Sequence, residues 1–528
     1  MNDLAVGWRN RNLHVSDHSG DGMEDEAERR RPWLVLFLVG VALHAYAAHN
    51  SDLGLDAHVR LNVVNDETNP GFDAPWGAPR VSGDASEPSA ASFDGYVPPW
   101  NTTEASMKIT AVSALLIVGL LVSLKPTDAG SMRLDFMWGA MLFLSPVMMF
   151  STSRGYDEAP LALLMALSVA GFGLNFGDSR AQLRIHSLLM ATSLLLVMGW
   201  KGFELTTCFG VWLTVLLVAE GWMALLAKAD GERLSWLVHP WKMGALSSLL
   251  VVAGVCLMGV GSSSGTFSVV SDRPLLFLVA VAFALFDALV LYLLVGCLLW
   301  PTVARRWTAL RNLRGPAPTM LTVFISGVLT GVVLYIAALW TLESALWGIG
   351  LAETMVVLGN NGRYATLLLV PVMVLLRSVE PELSPSTSGW ATTLAAVALV
   401  LPFLLFTTFV GHQVWSVDAG EQLAEVWQEE DQSFLMVAPQ SMAMHHMYAM
   451  KSHVDLDGSL NVTGYWSTPQ NASERIDAGF VVDYLIVSPN ADFIANDDRW
   501  DLIETSPVPV NVPGGIQSGH WSLYRAIG

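Results

Sequence analysis

Apolar residues in this chain come in long blocks rather than alternating singly. Eleven such blocks lie at about 33–49, 107–124, 134–151, 160–176, 185–200, 205–227, 243–261, 275–300, 318–342, 365–377 and 390–410. A helix needs roughly 20 apolar residues to cross a bilayer, so each block reads as a membrane span. The tenth is short, and the apolar stretch 344–358 upstream can extend it. Three polar regions interrupt the blocks. Residues 1–32 carry mixed charge without apolar periodicity and read as a flexible cytoplasmic tail. Residues 50–106 form a long loop, with a short membrane-surface helix expected from Asp52 to Val64 and an irregular Pro-, Gly- and Ser-rich middle from Asn69 to Trp100. A loop of this length in a compact protein is usually functional or disordered.

Residues 411–528 read as a small α/β domain. Leu423, Val426 and Trp427 give Asp418–Glu430 a helical spacing, and Phe434–Val437 is a short apolar strand. Ser441–Met450 suits a helix, Phe480–Val487 a strand, and Trp521–Arg525 a last strand. No internal repeat is visible.

Composition agrees with the blocks. Hydrophobic residues make up 52% of the 528 positions and charged residues 14%, against about 25% charged in soluble domains. Lys and Arg in short loops set the orientation. Arg29, Arg30 and Arg31 precede the first span. Alternate loops then hold Lys125 and Arg133; Arg180 and Arg184; Lys228, Arg233 and Lys242; Arg305, Arg306, Arg311 and Arg314; and Arg377. The opposite short loops hold only Arg154, Lys201, Arg273 and Arg363. The expected fold is therefore a polytopic α-helical membrane protein of about eleven transmembrane helices, 33–410, with its N-terminus cytoplasmic and a small extracytoplasmic α/β domain, 411–528, in an integral cell-membrane protein.

Three Asn-x-Ser/Thr sequons, at Asn101, Asn461 and Asn471, fall on the expected outer side, where glycosylation acceptors belong. Cys208, Cys256 and Cys297 all lie inside spans, so no disulfide holds the outer domain. The net charge of −19 is concentrated outside: residues 411–528 carry sixteen Asp and Glu against four Lys and Arg. That disfavours nucleic acid as a partner. Ala45-Tyr46-Ala47 has the form of a signal-peptidase site, but the long acidic region before it argues against cleavage.

Candidate chemistry clusters on the outer side. Asp52 and Asp56 stand four apart, one helical face, and two carboxylates at the headgroup layer suit deprotonation of a hydroxyl or help in holding a divalent cation. A solvated loop is the plain alternative. The second outer loop, Ser153-Arg154-Gly155-Tyr156-Asp157-Glu158-Ala159-Pro160, is crowded with ionisable groups. Asp157 and Glu158 can equally serve the dipole of the helix that Pro160 begins. Arg363, in Asn360-Asn361-Gly362-Arg363-Tyr364, suits a phosphate, which a guanidinium grips through two oxygens. Asp287, mid-span, is a functional candidate because a carboxylate in hydrocarbon is costly; Glu220 lies nearer a span end. Met442-Ala-Met444-His445-His446-Met447 carries soft ligands of the kind copper takes, though a Met-rich helix packed on a sheet explains it more simply. His453-Val-Asp455-Leu-Asp457-Gly458 starts like a calcium loop but lacks the closing Glu, so Asp457-Gly458 is expected to be a hairpin turn. The Gly-rich phosphate loop of ATP-driven pumps is absent, as are Cys-x-x-Cys and His-Glu-x-x-His zinc patterns.

Together these features resemble the GT-C superfamily of integral-membrane glycosyltransferases, which use polyprenyl- or dolichyl-phosphate sugars. Leu55-Asp56-Ala57-His58 is similar to the family's first-loop acidic motif, and Tyr156-Asp157-Glu158-Ala159-Pro160 to its second-loop pattern. Gly362-Arg363-Tyr364, leading into Leu367–Pro371, resembles an Arg-Tyr pair followed by a Pro-containing span. In the tail, Glu421–Trp427, Phe434–Val437, Val482–Val487 and Ser522–Arg525 are familiar too. The usual Asp-Glu doublet is Asp56-Ala57 here, and the Trp-Trp-Asp motif of oligosaccharyltransferases is absent, which argues against transfer of a whole oligosaccharide to protein.

The resemblance implies transfer of one sugar from a polyprenyl- or dolichyl-phosphate donor to a lipid, glycan or protein acceptor at the outer face. It makes Asp56 the catalytic base with Asp52 in reserve. His58, Arg60, Arg154, Tyr156, Asp157, Glu158, Lys201, Arg363 and Tyr364 would bind substrate; no metal ligand is assigned, and a divalent cation stays open. Two other readings remain: a transporter or flippase centred on Asp287, and an inactive scaffold of the same architecture.

Overall fold

The computed structural model describes residues 21–65, 95–126, 132–174, 178–228, 235–261, 266–358, 361–379, 388–410, 413–427, 432–439, 442–460, 462–489, 491–496, 498–507, 510–511 and 518–527. The expected tail before residue 21, the irregular stretch 66–94 and the Asn461 sequon lie outside them.

The chain begins with α1 (Asp21–His49), which reaches back into the stretch expected to be tail, then the short α2 (Leu55–Asn65) and α3 (Glu104–Ser123). A two-stranded hairpin, β1–β2 (Leu124–Pro126 and Met132–Leu134), leads to α4 (Phe136–Phe143), α5 (Pro146–Ser153), α6 (Glu158–Ala166) and α7 (Ala170–Leu174). Next come α8 (Arg180–Trp200), α9 (Leu205–Lys228), α10 (Pro240–Gly261), α11 (Val269–Asp272), α12 (Pro274–Gly296), α13 (Trp300–Ala304) and α14 (Trp307–Arg311). α15 (Pro316–Trp347), α16 (Leu351–Leu358), a 3-10 segment (Asn361–Leu368), α17 (Leu369–Arg377) and α18 (Ser388–Phe409) complete the bundle.

Seven helices among the described residues are long and apolar enough to cross a membrane, eight if the bent pair α4–α5 counts as one span. They correspond to seven of the eleven apolar blocks. Large side chains such as Leu257, Leu275 and Phe286 stand exposed on the bundle's outside, where lipid rather than water suits them. The chain is an integral membrane protein.

Local chemistry explains where the other blocks break. Block 134–151 bends by 63° between α4 and α5, because Pro146 at the start of α5 has no N–H to continue the ladder. Block 160–176 passes through a 3-10 turn at Leu167–Val169. Block 365–377 is 3-10 up to Leu368 before α17 begins. Block 275–300 does not break within its length: it forms the continuous 23-residue α12 and closes in a 3-10 turn at Cys297–Leu299. α10 and α15 pack closely through small residues, with Ser247 Oγ donating to Val323 O at 3.0 Å.

The C-terminal region comprises α19 (Trp415–Val426), β3 (Ser433–Val437), α20 (Ala443–Val454), β4 (Thr463–Ser467), α21 (Pro469–Asp477), β5 (Tyr484–Val487), β6 (Trp500–Thr505), β7 (Val510–Asn511), β8 (Ser518–Gly519) and β9 (Ser522–Ala526). A five-stranded sheet has the order β4-β3-β5-β9-β6. β3 is parallel to β4 and β5, and β9 is antiparallel to β5 and β6. One sheet face buries Phe434, Met436, Ile486 and Leu523 against α19 and α20; the other buries Leu435, Val437 and Leu485 against α21. β4, α21 and β6 add to the elements expected from the sequence. The Asp457-Gly458 turn is present but joins α20 to β4 rather than two strands. Asp455 accepts from Leu460 N and Val462 N there, and Gly458 adopts φ 70°.

α2 packs directly on α20. Asn62 Nδ2 donates to Tyr448 O at 3.0 Å, and Val59 nests against Met444 and Tyr448. The first long loop and the C-terminal domain therefore share one end of the bundle. At the end of α3 remote from Glu104, Arg377 donates to Val122 O and Leu124 O, beside the β1–β2 hairpin.

Candidate active site

A cavity of about 2190 Å³ is lined by α2, the Arg154–Glu158 loop, α8, α9, α10, α15 and the first residues of α19 and α20. The apolar lining includes Met190, Val211, Leu250, Val255, Val328 and Val332. The polar lining holds Asp56, Arg60, Arg154, Tyr156, Asp157, Glu158, Lys201, Arg363 and Tyr364, and also Glu204 and Glu343. Nine of the eleven expected site residues thus meet in one place.

Arg363 is the hub. It is buried, yet its Nη2 donates to Asp56 Oδ2 at 2.6 Å and its Nε pairs with Glu158 Oε1 at 2.9 Å. Its guanidinium carbon stands 4.0 Å over the Tyr156 ring. Burial works against its charge, but Glu158 and then Asp56 more than restore it, so its pKa is raised well above the usual value. Glu158, buried at the start of α6, also accepts from Ser151 Oγ.

A second set of pairs fixes the frame. Arg60 pairs with Asp157 Oδ1, donates to Gly155 O at 3.0 Å, and so ties α2 to the second loop. Gly155 sits at φ 66°, a turn conformation that favours glycine. Asp157 takes a second cation, Lys201 Nζ, at 3.3 Å, and that ammonium lies 4.8 Å over the Tyr364 ring. Arg154 stacks 3.6 Å over Phe150; burial lowers its pKa to about 10, so it remains charged at neutral pH.

Of the three carboxylates around Arg363 and Arg60, Asp56 is the most open, with 43% of its side chain accessible against 7% for Asp157 and 1% for Glu158. Burial in the protein pushes its pKa up, but Arg363, His445 and Lys201 outweigh that and hold it at about 2. It is a carboxylate facing open space, with its charge assured. His445 Nε2 lies 3.5 Å from Asp56 Oδ1. Reading the sequence missed His445 as a site residue, although the His445-His446 pair was visible. Neighbours on a helix point about 100° apart. His446 turns to Ser416 Oγ at 2.8 Å and to the Trp415 ring, while His445 reaches Asp56. Of the methionines of this segment, Met444, Met447 and Met450 are core residues, while Met442 lines the cavity.

Two expected residues lie elsewhere. Asp52 Oδ2 accepts from Val414 N at 2.7 Å and so holds the loop to the start of α19; burial raises its pKa, opposed by that N–H. It does not line the cavity, so no Asp52–Asp56 pair faces a substrate or a cation. His58 turns toward α20 and Ser452, since two residues along a helix is about 200° of rotation. Asp56, Asp157 and Glu158 each already have a cationic partner, which leaves little negative charge for a divalent ion among them. Asp287 is half-buried on α12 and does not line this cavity. Glu220 pairs with Arg180 and Arg184 on the outside of the bundle. Asn101 is buried and its amide oxygen accepts from Thr110 Oγ1 at 2.7 Å, a poor setting for a glycan; Asn471 is partly exposed.

No family model and no curated protein matches the chain. Among solved structures, the crystal structure of ArnT from Cupriavidus metallidurans in the apo state is similar to it at 12% sequence identity and a TM-score of 0.38, over 94% of this chain and 98% of that one.

Proposed function

We propose that the protein is a membrane glycosyltransferase that moves a single sugar from a polyprenyl- or dolichyl-phosphate donor to a lipid, glycan or protein acceptor at the outer membrane face. One observation carries this reading: Asp56, an exposed carboxylate, sits against the buried Arg363 in a cavity whose lining is mostly apolar and formed largely by long helices. A lipid phosphate needs that pairing of a cationic end and an apolar bed.

Cationic groups able to meet a phosphodiester are at hand. Four cations, Arg60, Arg154, Lys201 and Arg363, line the cavity beside Asp56, Asp157 and Glu158, and Glu204 and Glu343 line it as well. Arg363 would bind the phosphate oxygens and stabilise the charge that develops there as the sugar departs. A phosphate taking Arg363 Nη2 would release Asp56 to accept the proton of the attacking hydroxyl. Lys201 would hold the phosphate from the other side, and Asp157 and Glu158 would keep the cations in place rather than meet the acceptor. The full complement of eleven spans, the cytoplasmic N-terminus and the outward C-terminal domain belong to the same proposal. The loop charge bias and the shared end of α2 and α20 support it.

Asp56→Asn tests the reading. Transfer from radiolabelled polyprenyl-phosphate sugars should fall by roughly 10²–10⁴-fold, the usual yield of a positioned base, while donor binding persists. Full activity in that variant would move the base elsewhere. No transfer by the wild type from any donor in the panel would undercut the enzyme reading.

A further inference from the structure

We infer that His58, Glu104 and His453 form a binding site for one divalent transition-metal ion, of the zinc class, that clamps α2 and α3 to the C-terminal domain. The three residues come from distant parts of the chain. His58 is on α2, Glu104 is the first residue of α3, and His453 is near the end of α20. One ligand atom from each lies within 4.8 Å of the other two. The Glu104 Oε1 to His453 Nε2 distance is 3.6 Å, too long for a hydrogen bond. Zinc–ligand bonds of roughly 2.0–2.2 Å place tetrahedral ligands about 3.4 Å apart, close to that spacing. Glu104 Oε1 and His453 Nε2 are both buried and make no hydrogen bond among the described residues.

The surrounding bonds orient His58 for this role. Ser452 Oγ donates its proton to Tyr448 O at 2.8 Å, so in its 3.0 Å contact with His58 Nδ1 the imidazole is the donor. Asn62 Nδ2 donates to the same hydroxyl at 2.9 Å. A proton on Nδ1 puts the lone pair of the neutral ring on Nε2, the arrangement that metal-bound histidines owe to their outer hydrogen bond. Lys108, one turn along α3 from Glu104, directs its ammonium to Ser51 O instead. Two imidazoles and a carboxylate suit zinc, with a fourth position left for water. The clamp faces away from the cavity, because His58 and Asp56 lie on opposite sides of α2. It would position the helix that carries Asp56 without touching substrate.

The test uses the full-length protein in detergent, stripped with a chelator and incubated with Zn2+ or Co2+ alone. After dialysis, one zinc per chain should remain by elemental analysis. Co2+ should give the visible absorption of a tetrahedral nitrogen–oxygen site. Glu104→Gln and His453→Ala should lose both signals while eluting as the wild type does. Zinc should also slow amide exchange in α2 and α20 of the wild type. Failure of the wild type to retain zinc, or full retention by both variants, overturns the site. Metal content is read with no sugar donor present, so this result and that of the transferase test are independent.

Discussion

Arg363 shows how much of this protein rests on single side chains. It bridges Asp56 and Glu158 while stacking on Tyr156, and only a planar fork can do all three. Arg363→Lys should therefore behave as a severe change. Transfer activity is expected to fall on the order of 10²-fold, the cost of losing one oriented donor to a developing anion, with little loss of thermal stability. Activity within a few-fold of the wild type would show that charge alone suffices. The residue type and its outer location were readable from the chain. Its partners were not, because Asp56 and Glu158 lie 307 and 205 positions away and only folding brings them within hydrogen-bond reach. The same limit explains Asp52. Its spacing from Asp56 suggested a pair on one helical face, but α2 begins only at Leu55, so Asp52 falls in the connection before the helix and bonds Val414 N instead.

At the scale of elements, α20 joins the two halves of the molecule. Its inner face enters the domain core, its outer face meets α2, and His445 reaches the cavity. His446 makes this joint sensitive to acid. Burial, with His445 beside it, holds the His446 pKa down from 6.5 to about 3. The unfolded chain therefore binds the extra proton across that window. The stabilising contribution is complete above about 6.5 and declines as pH falls toward 3, by about 1.4 kcal/mol per pH unit within the window. Melting temperatures in detergent between about pH 7 and pH 4 should drop less steeply for His446→Asn than for the wild type; parallel slopes would place the acid sensitivity elsewhere. The other element with a readable role is α15. Gly331 lines the cavity, and a Cβ added there would meet nothing within 4 Å. Gly331→Trp should fold and bind acceptor, but raise KM for a long-chain donor more than it lowers kcat. Equal kinetics with long and short lipid donors would put the chain outside this cavity.

For the whole molecule, the decisive property is sidedness. The long loop helix and the sheet domain pack at one end, and the basic hairpin lies at the other. On a cysteine-free background, a cysteine at the exposed Ile494 should react with a membrane-impermeant maleimide in intact cells, and one at the exposed Trp307 only after permeabilisation. The reverse pattern would invert the proposed orientation. The sequence by itself determined that this is a polytopic membrane protein with a small α/β domain at its end, because block length and loop charge are local properties that a bilayer imposes residue by residue. It also marked most of the acids and bases of the site. Only the tertiary structure decided that Arg363 sits between two carboxylates, that His445 approaches Asp56 while His446 turns to Ser416, and that His58 turns away from Asp56 toward Glu104 and His453. Those outcomes depend on helix phase and on contacts between segments hundreds of residues apart, which no local pattern encodes.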